Sequence, residues 1–162
     1  TIQNPGGCAD LTRAVIGGGE DSPTSINTIQ FLTITTQSNA TDFGDLTQAR
    51  RNLASASSPT RGLFMGGDFQ ASTYYDIIDY ITIQSTGNAT DFGNLSAVRS
   101  ELGAVSSTIR ACVGGGSNSS APNSDTIEYV TIASTGNMTD FGNLTVARRQ
   151  IRGCSNGHGG LG

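Results

Sequence analysis

The sequence predicts an all-β fold built from three four-stranded antiparallel repeats of about 49 residues. The first observation is composition: 22 of the 162 residues are glycine and only 14% are charged, which favours turns and short strands over helices. The second is repetition, since the tripeptide Asp-Phe-Gly begins at Asp42, Asp91 and Asp140, always 49 residues apart. The third is that no segment keeps the 3.6-residue apolar period of a helix. One structural unit therefore occurs three times.

The repeats cover almost the whole chain, and we expect residues 1–162 to form a single repeat domain. The predicted boundaries are 1–12 for a fourth-strand remnant, 13–60, 61–109 and 110–154 for the three repeats, and 155–162 for a glycine-rich tail.

The elements of a repeat are clearest in the second unit. An apolar first strand stops at Gly66-Gly67 and is followed by a polar loop. The second strand is rich in Ile and Tyr and ends at a turn, because Gly87 and Asn88 tolerate positive φ. The third and fourth strands are short and alternate weakly. The four predicted strands are 61–65, 76–83, 89–95 and 99–105.

Equivalent apolar positions of the three repeats predict the core. We expect truncation of a buried Phe at such a position to be costly. Cys112 lies in an apolar run and is expected to be a small buried hydrophobe. The expected core positions are Phe43, Phe92 and Phe141, together with Ile34, Ile83 and Ile132.

An Arg follows each Asp-Phe-Gly motif at a fixed distance, across the turn between the third and fourth strands. A guanidinium and a carboxylate form planar, bidentate contacts, so a structural ion pair inside each hairpin is expected. Binding of a carbohydrate or a carboxylate at these pairs is the alternative. The predicted pairs are Asp42 with Arg50, Asp91 with Arg99, and Asp140 with Arg148.

The sequence disfavours several functional classes. The net charge of −4 is unfavourable for nucleic-acid binding, and no apolar stretch is long enough to predict a membrane span. All basic residues are Arg, so neither a Schiff-base lysine nor a phosphate-loop lysine is present. The one histidine, His158, lies in the glycine-rich tail without a carboxylate nearby in the sequence. We expect no catalytic residue, no cofactor and no metal site.

The repeat resembles the kelch motif. Its marks are the strand ending Met65-Gly66-Gly67, the aromatic Tyr80, the segment Phe92-Gly-Asn-Leu95 and the closing Arg99, with Phe in place of the usual Trp. The resemblance implies a β-propeller blade of four strands. Closed propellers have roughly four to eight blades, so three repeats imply pairing of two chains or a longer array. A three-sided β-prism, the shape of several lectins, is the alternative fold.

The amino-acid sequence of the third repeat gives a more specific resemblance. The segment from Ile127 to Leu144 and the ending from Cys154 to Leu161 resemble kelch-like arrays in structural proteins of marine bacteriophages. This implies a non-enzymatic virion module for structure or host attachment, such as a tail fibre or surface decoration. Its location would be the virion or the extracellular space, and its partners would be copies of itself, other virion proteins or glycans. A lectin-like carbohydrate-binding module is the alternative function.

The longer loops vary between repeats while the short turns barely change, as expected of a binding surface on a constant scaffold. The candidate surface residues are Asp68, Tyr74, Tyr75, Asn118 and Asn123. Asn39, Asn88 and Asn137 occupy one repeat position and begin Asn-x-Thr sequences. They are either turn residues or glycan acceptors.

Overall fold

The computed structural model describes residues 1–155, which fold entirely into strands, turns and irregular segments. The prediction of an all-β protein with several antiparallel sheets is confirmed. None of the described residues belongs to a helix that could cross a membrane. His158 lies outside the described residues.

The strands are numbered along the chain. The first group comprises β1 (Ile2–Gln3), β2 (Gly6–Ala9), β3 (Arg13–Gly17), β4 (Glu20–Asp21), β5 (Thr24–Ser25), β6 (Thr28–Thr33) and β7 (Thr41–Asp45). The second group comprises β8 (Ala54–Ser57), β9 (Arg61–Met65), β10 (Asp68–Phe69), β11 (Thr73–Tyr74), β12 (Ile77–Thr82) and β13 (Thr90–Asn94). The third group comprises β14 (Gly103–Ser106), β15 (Arg110–Gly114), β16 (Ser124–Thr131) and β17 (Thr139–Arg148).

Three four-stranded antiparallel sheets form the body of the protein. Sheet 1 has the strand order β2-β3-β6-β7, sheet 2 the order β8-β9-β12-β13, and sheet 3 the order β14-β15-β16-β17. Two small additions accompany these sheets: the β4-β5 and β10-β11 hairpins lie in the loops that follow the second strands of sheets 1 and 2, and β1, which precedes β2, pairs with β4.

The sheets are out of phase with the predicted repeats. The predicted fourth strand of each repeat pairs with the first strand of the next one, as in the registers Ala54↔Met65 and Gly103↔Gly114. A tight turn is the cause: Ser58 accepts a hydrogen bond from the Arg61 amide at 3.1 Å and so folds β8 back onto β9. Strand β2 is thus the first strand of sheet 1 rather than a remnant. Residues 149–154, predicted as a last strand, form none.

The Asp-Phe-Gly motif forms the same irregularity in each sheet. The register shifts by one residue beside Gly44, Gly93 and Gly142, whose φ angles are 143°, 147° and 138°. Glycine adopts these angles without a Cβ clash. The motif is therefore a structural bulge in the last strand of each sheet.

The three sheets stack face to face in chain order. One apolar cluster fills the first interface, between sheets 1 and 2, and a second cluster fills the second interface, between sheets 2 and 3. The innermost strands β2, β8 and β14 lie side by side: Ser57 Oγ donates to the Ala9 carbonyl at 2.8 Å, and Ser106 Oγ donates to the Ser57 carbonyl at 2.9 Å.

The predicted core positions are buried only where another sheet packs against the face that carries them. Phe43 and Phe92 are each 2% exposed, whereas Phe141 is 58% exposed. Ile34 is 51% exposed, although Ile83 and Ile132 are fully buried. Phe141 lacks a following sheet in the described chain, and Ile34 lacks a preceding one. For the same reason Cys112 is half-buried, and the burial it does have raises the pKa of its thiol.

Candidate functional site

Backbone hydrogen bonds join sheet 1 to sheet 2. The turn before β13 donates its Gly87 amide to the Phe43 carbonyl at 2.7 Å and its Ala89 amide to the Asp45 carbonyl at 2.8 Å. In return, Asn88 Oδ1 accepts the Asp45 amide at 3.0 Å. The second interface repeats these contacts with Gly136, Phe92, Met138, Asn94 and Asn137.

Close packing at these contacts requires glycine. A Cβ on Gly93 would overlap the Gly136 carbonyl oxygen of sheet 3, and one on Gly44 would overlap the Gly87 carbonyl oxygen of sheet 2. The equivalent Gly142 of sheet 3 has nothing within 4 Å of its Cβ position. The same backbone shape is thus in contact with the next sheet in sheets 1 and 2 and without such a contact in sheet 3.

A buried ion pair crosses the first interface. The Arg50 guanidinium lies 2.9 Å from the Asp79 carboxylate, and both side chains are fully buried. Arg50 also donates to the Gly66 carbonyl at 2.9 Å and to the Phe64 carbonyl at 3.1 Å. Thr47 donates its hydroxyl to Asp79 at 2.7 Å. Every charge buried here therefore has a partner, as burial in an apolar setting demands.

The second interface contains an equivalent buried ion pair, in which Glu takes the place of Asp. Arg99 contacts the buried Glu128 carboxylate and donates to the Gly115 carbonyl at 3.0 Å. The Ser96 amide donates to Glu128 at 2.9 Å. Burial lowers the pKa of both Arg50 and Arg99, and the facing carboxylates Asp79 and Glu128 oppose that effect.

The predicted Asp–Arg pairs inside each hairpin are wrong. Arg50 pairs with Asp79 rather than Asp42, and Arg99 pairs with Glu128 rather than Asp91. Each Asp of the motif is exposed because its neighbouring Phe points toward the interface, and side chains alternate along a strand. Among residues 1–155, Asp140 and Arg148 do not form a salt bridge either; both are exposed.

A sequence signal for the true partners exists. Asp79 of β12 and Glu128 of β16 lie one repeat apart, and each is flanked by an Ile and a Tyr. A carboxylate in such a strand indicates a buried cationic partner. The equivalent residue of sheet 1 is Gln30.

A second Arg of the first two repeats also reaches the next sheet. Arg13 donates to the Ile83 carbonyl and Arg61 to the Ile132 carbonyl, both at 3.1 Å. Each guanidinium stacks on an aromatic ring of its own sheet, which in turn meets the Phe of Asp-Phe-Gly edge to face. Arg110 keeps the stacking, 4.4 Å from the centre of the Tyr129 ring, but is exposed.

The stack ends in two open faces. On sheet 3 the exposed or half-buried side chains occupy positions that are buried in sheets 1 and 2; we call this the trailing face. It comprises Cys112, Ile127, Phe141, Leu144 and Arg148, together with the exposed Arg110, whose equivalents Arg13 and Arg61 are half-buried. On sheet 1 the exposed or half-buried side chains occupy positions that are buried in sheets 2 and 3; we call this the leading face. It comprises Ile16, Gln30, Leu32, Ile34 and Ala40.

The predicted turn residues take part in the interfaces. Asn88 and Asn137 each use their side-chain oxygen to accept an amide of the preceding sheet. Asn39, at the same repeat position, is exposed on sheet 1, where the described chain has no preceding sheet. The turn interpretation therefore has a structural basis for Asn88 and Asn137, and glycosylation stays an untested alternative.

Asp68 is not a surface residue, contrary to expectation. It is 1% exposed, and its carboxylate accepts hydrogen bonds from Arg51 at 3.1 Å, Asn52 at 2.8 Å and the Ala71 amide at 2.7 Å. These bonds hold the β10-β11 hairpin against the segment that enters sheet 2. A carboxylate followed by a tight hairpin satisfies that hairpin's amides, which explains its burial.

The other loop residues differ in their accessibility. Asn123 is exposed, whereas Tyr74 and Tyr75 are half-buried. Asn118 is half-buried and caps its own loop, because its side-chain oxygen accepts the Ser120 and Ala121 amides at 2.9 and 2.8 Å. Of the five candidate residues, Tyr74, Tyr75 and Asn123 are the ones that present side chains without a bond to their own loop.

Reactive groups are sparse in the described chain. Burial, reinforced by nearby Asp10, raises the pKa of the Cys8 thiol to about 12, so its nucleophilic thiolate is disfavoured. Within residues 1–155 no three His, Cys, Asp or Glu side chains gather as a metal site would require. The distinctive chemistry of this part of the molecule is the pair of open faces.

No protein-family model matches the chain, and no curated protein matches it significantly.

Proposed function

We propose that this protein is a non-enzymatic structural module that functions by assembly through the two ends of its sheet stack. The observation that supports this proposal is that both open faces expose side chains whose repeat equivalents are buried. Phe141 and Ile34 are two of these, and each is more than half exposed. Uncovered apolar sheet faces at both ends of a stack favour a partner at each end.

A propeller-like arrangement is the architecture that we propose. Three features support it: the sheets follow one another in chain order, they pack face to face, and their innermost strands adjoin. Three blades are fewer than the roughly four to eight of closed propellers. Assembly of chains would supply the missing blades, which the alternative three-sided prism would not need.

We further propose a virion or extracellular setting, with copies of the chain or other virion proteins as partners. The support is the resemblance of the third repeat to kelch-like arrays in bacteriophage structural proteins. Host attachment would involve the loops that carry Tyr74, Tyr75 and Asn123, since these side chains remain accessible beside a rigid scaffold.

Sedimentation velocity at micromolar concentration tests assembly directly. We expect an oligomer, with a mass of two or more times the 16.7 kDa of one chain. A stable monomer at this concentration would contradict the proposal and favour the self-contained prism. Screening against a glycan array addresses the lectin alternative: saturable binding lost on mutation of Tyr74 and Tyr75 would favour a carbohydrate-binding module instead.

A further inference from the structure

We infer that a second copy of this chain docks head to tail, with the trailing face of one copy covering the leading face of the other. The inference rests on the proposed assembly and adds the partner, the direction and the contact residues.

The two internal interfaces provide the template. Each joins a face equivalent to the trailing face with a face equivalent to the leading face, and residues 1–155 leave one unpaired half at each end of the stack. Phe141 stands where Phe43 and Phe92 insert, and Ile34 stands where Ile83 and Ile132 are buried. The two open faces are therefore complementary halves of an interface that the chain already forms twice.

The receiving strand of the leading face has the required local structure. The Ile34 amide bonds the Thr12 carbonyl at 2.8 Å, as the Ile83 amide bonds the Thr60 carbonyl at 2.9 Å. The Ile83 carbonyl accepts a guanidinium from the preceding sheet. We expect the Ile34 carbonyl to accept Arg110 of the second copy, since Arg110 is already stacked in the geometry of Arg13 and Arg61.

Arg148 is expected to occupy the slot that Arg50 and Arg99 occupy internally. Its acceptors in a second copy would be the side-chain oxygen of Gln30 and the carbonyls of Ile16 and Gly18, the equivalents of Phe64 and Gly66. An amide replaces the carboxylate of Asp79 and Glu128, so this contact lacks the charge pair of the internal interfaces. Association between chains is accordingly weaker than cohesion within one.

Charge favours head-to-tail docking over the symmetric alternatives. Two trailing faces would bring four guanidinium groups, those of Arg110 and Arg148 from each copy, into one interface, where like charges repel. Two leading faces offer carbonyl acceptors without a guanidinium donor. Two chains joined at both ends would contain six sheets, within the range of about four to eight blades that closes a propeller.

Two complementary variants test the direction of docking. Ile34→Arg blocks the leading face and Phe141→Arg blocks the trailing face, and both side chains are exposed, so each variant should fold. We expect each variant alone to sediment as a monomer and their equimolar mixture to form a 1:1 dimer, because each supplies the face that the other lacks. Arg148→Glu provides a second block of the trailing face, and circular dichroism melts verify folding.

The outcomes separate this inference from the proposed function. A wild-type monomer overturns both. A wild-type oligomer whose mass persists in Ile34→Arg alone, or in both Phe141→Arg and Arg148→Glu alone, overturns head-to-tail docking but leaves assembly standing. Monomeric variants that fail to combine when mixed, at concentrations where the wild type is fully assembled, also overturn it.

Gln30→Glu tests whether Arg148 of one copy contacts residue 30 of the other. It restores the carboxylate of the internal interfaces, and the half-buried position tolerates it in the single chain. We expect the dissociation constant of the Gln30→Glu assembly to be at least about tenfold lower than that of the wild type at neutral pH. This increase in affinity should vanish when Arg148→Met is added. An unchanged dissociation constant would show that Arg148 does not enter this slot.

Discussion

Replacing Phe92 by Ala is expected to lower the free energy of unfolding by about 3–5 kcal/mol. Phe92 is 2% exposed at the second interface and meets the Tyr80 ring edge to face at 6.0 Å. Truncation removes this packing and leaves a cavity between two sheets that cannot easily collapse, because backbone hydrogen bonds fix their separation. Denaturant melts followed by circular dichroism measure the effect.

Phe141→Ala is the matched control. Its ring meets Tyr129 in nearly the same geometry, at 5.8 Å, but it is 58% exposed. At concentrations where the chain is monomeric, we expect a loss of less than about 1 kcal/mol, in the range of exposed substitutions. Equal losses for Phe92→Ala and Phe141→Ala would contradict the face-to-face stacking of sheets 2 and 3.

Asp79→Ala is expected to destabilise the protein by about 3–5 kcal/mol, because it leaves the Arg50 guanidinium buried without a counter-charge. Gln30→Ala, at the equivalent position of sheet 1, should change stability by less than about 1 kcal/mol, since it faces no buried Arg in the described chain. Chemical denaturation of both variants gives the comparison.

A double variant distinguishes a buried charge from lost packing. Arg50→Met with Asp79→Leu replaces both charges by apolar side chains, and it should be more stable than Asp79→Ala alone. If the double variant were less stable than the single one, the hydrogen bonds of Arg50 to the Gly66 and Phe64 carbonyls would outweigh the cost of its unpaired charge.

Local patterns predict the strands of this protein well but not their partners. The run Arg61–Met65 is apolar, ends at paired glycines and is a strand as expected. The fourth strand predicted at 99–105 is also extended in part, as β14, yet it belongs to the next sheet, because the turn at Ser107 folds it onto Arg110. A repeat period defines the length of the unit, but it does not indicate at which strand each sheet begins.

Positions in a repeat predict burial only if every repeat has neighbours. Phe92 and Phe141 have the same sequence context, and the surroundings of their sheets alone make one buried and the other exposed. The partner of Arg50 was missed for a related reason, since it lies in the next repeat and not in the same hairpin. Contacts between units require knowledge of how units stack, which sequence spacing does not contain.

Hydrogen exchange at increasing protein concentration tests the central claim most directly, namely that the open faces are unpaired halves of the internal interfaces. Amides of Gly87, Ala89, Gly136 and Met138 bond the preceding sheet and should exchange slowly at every concentration. Their equivalents, Ser38 and Ala40, are exposed and should exchange fast in the monomer and slowly once chains assemble. Fast exchange of residues 36–40 in a fully assembled sample would contradict the account.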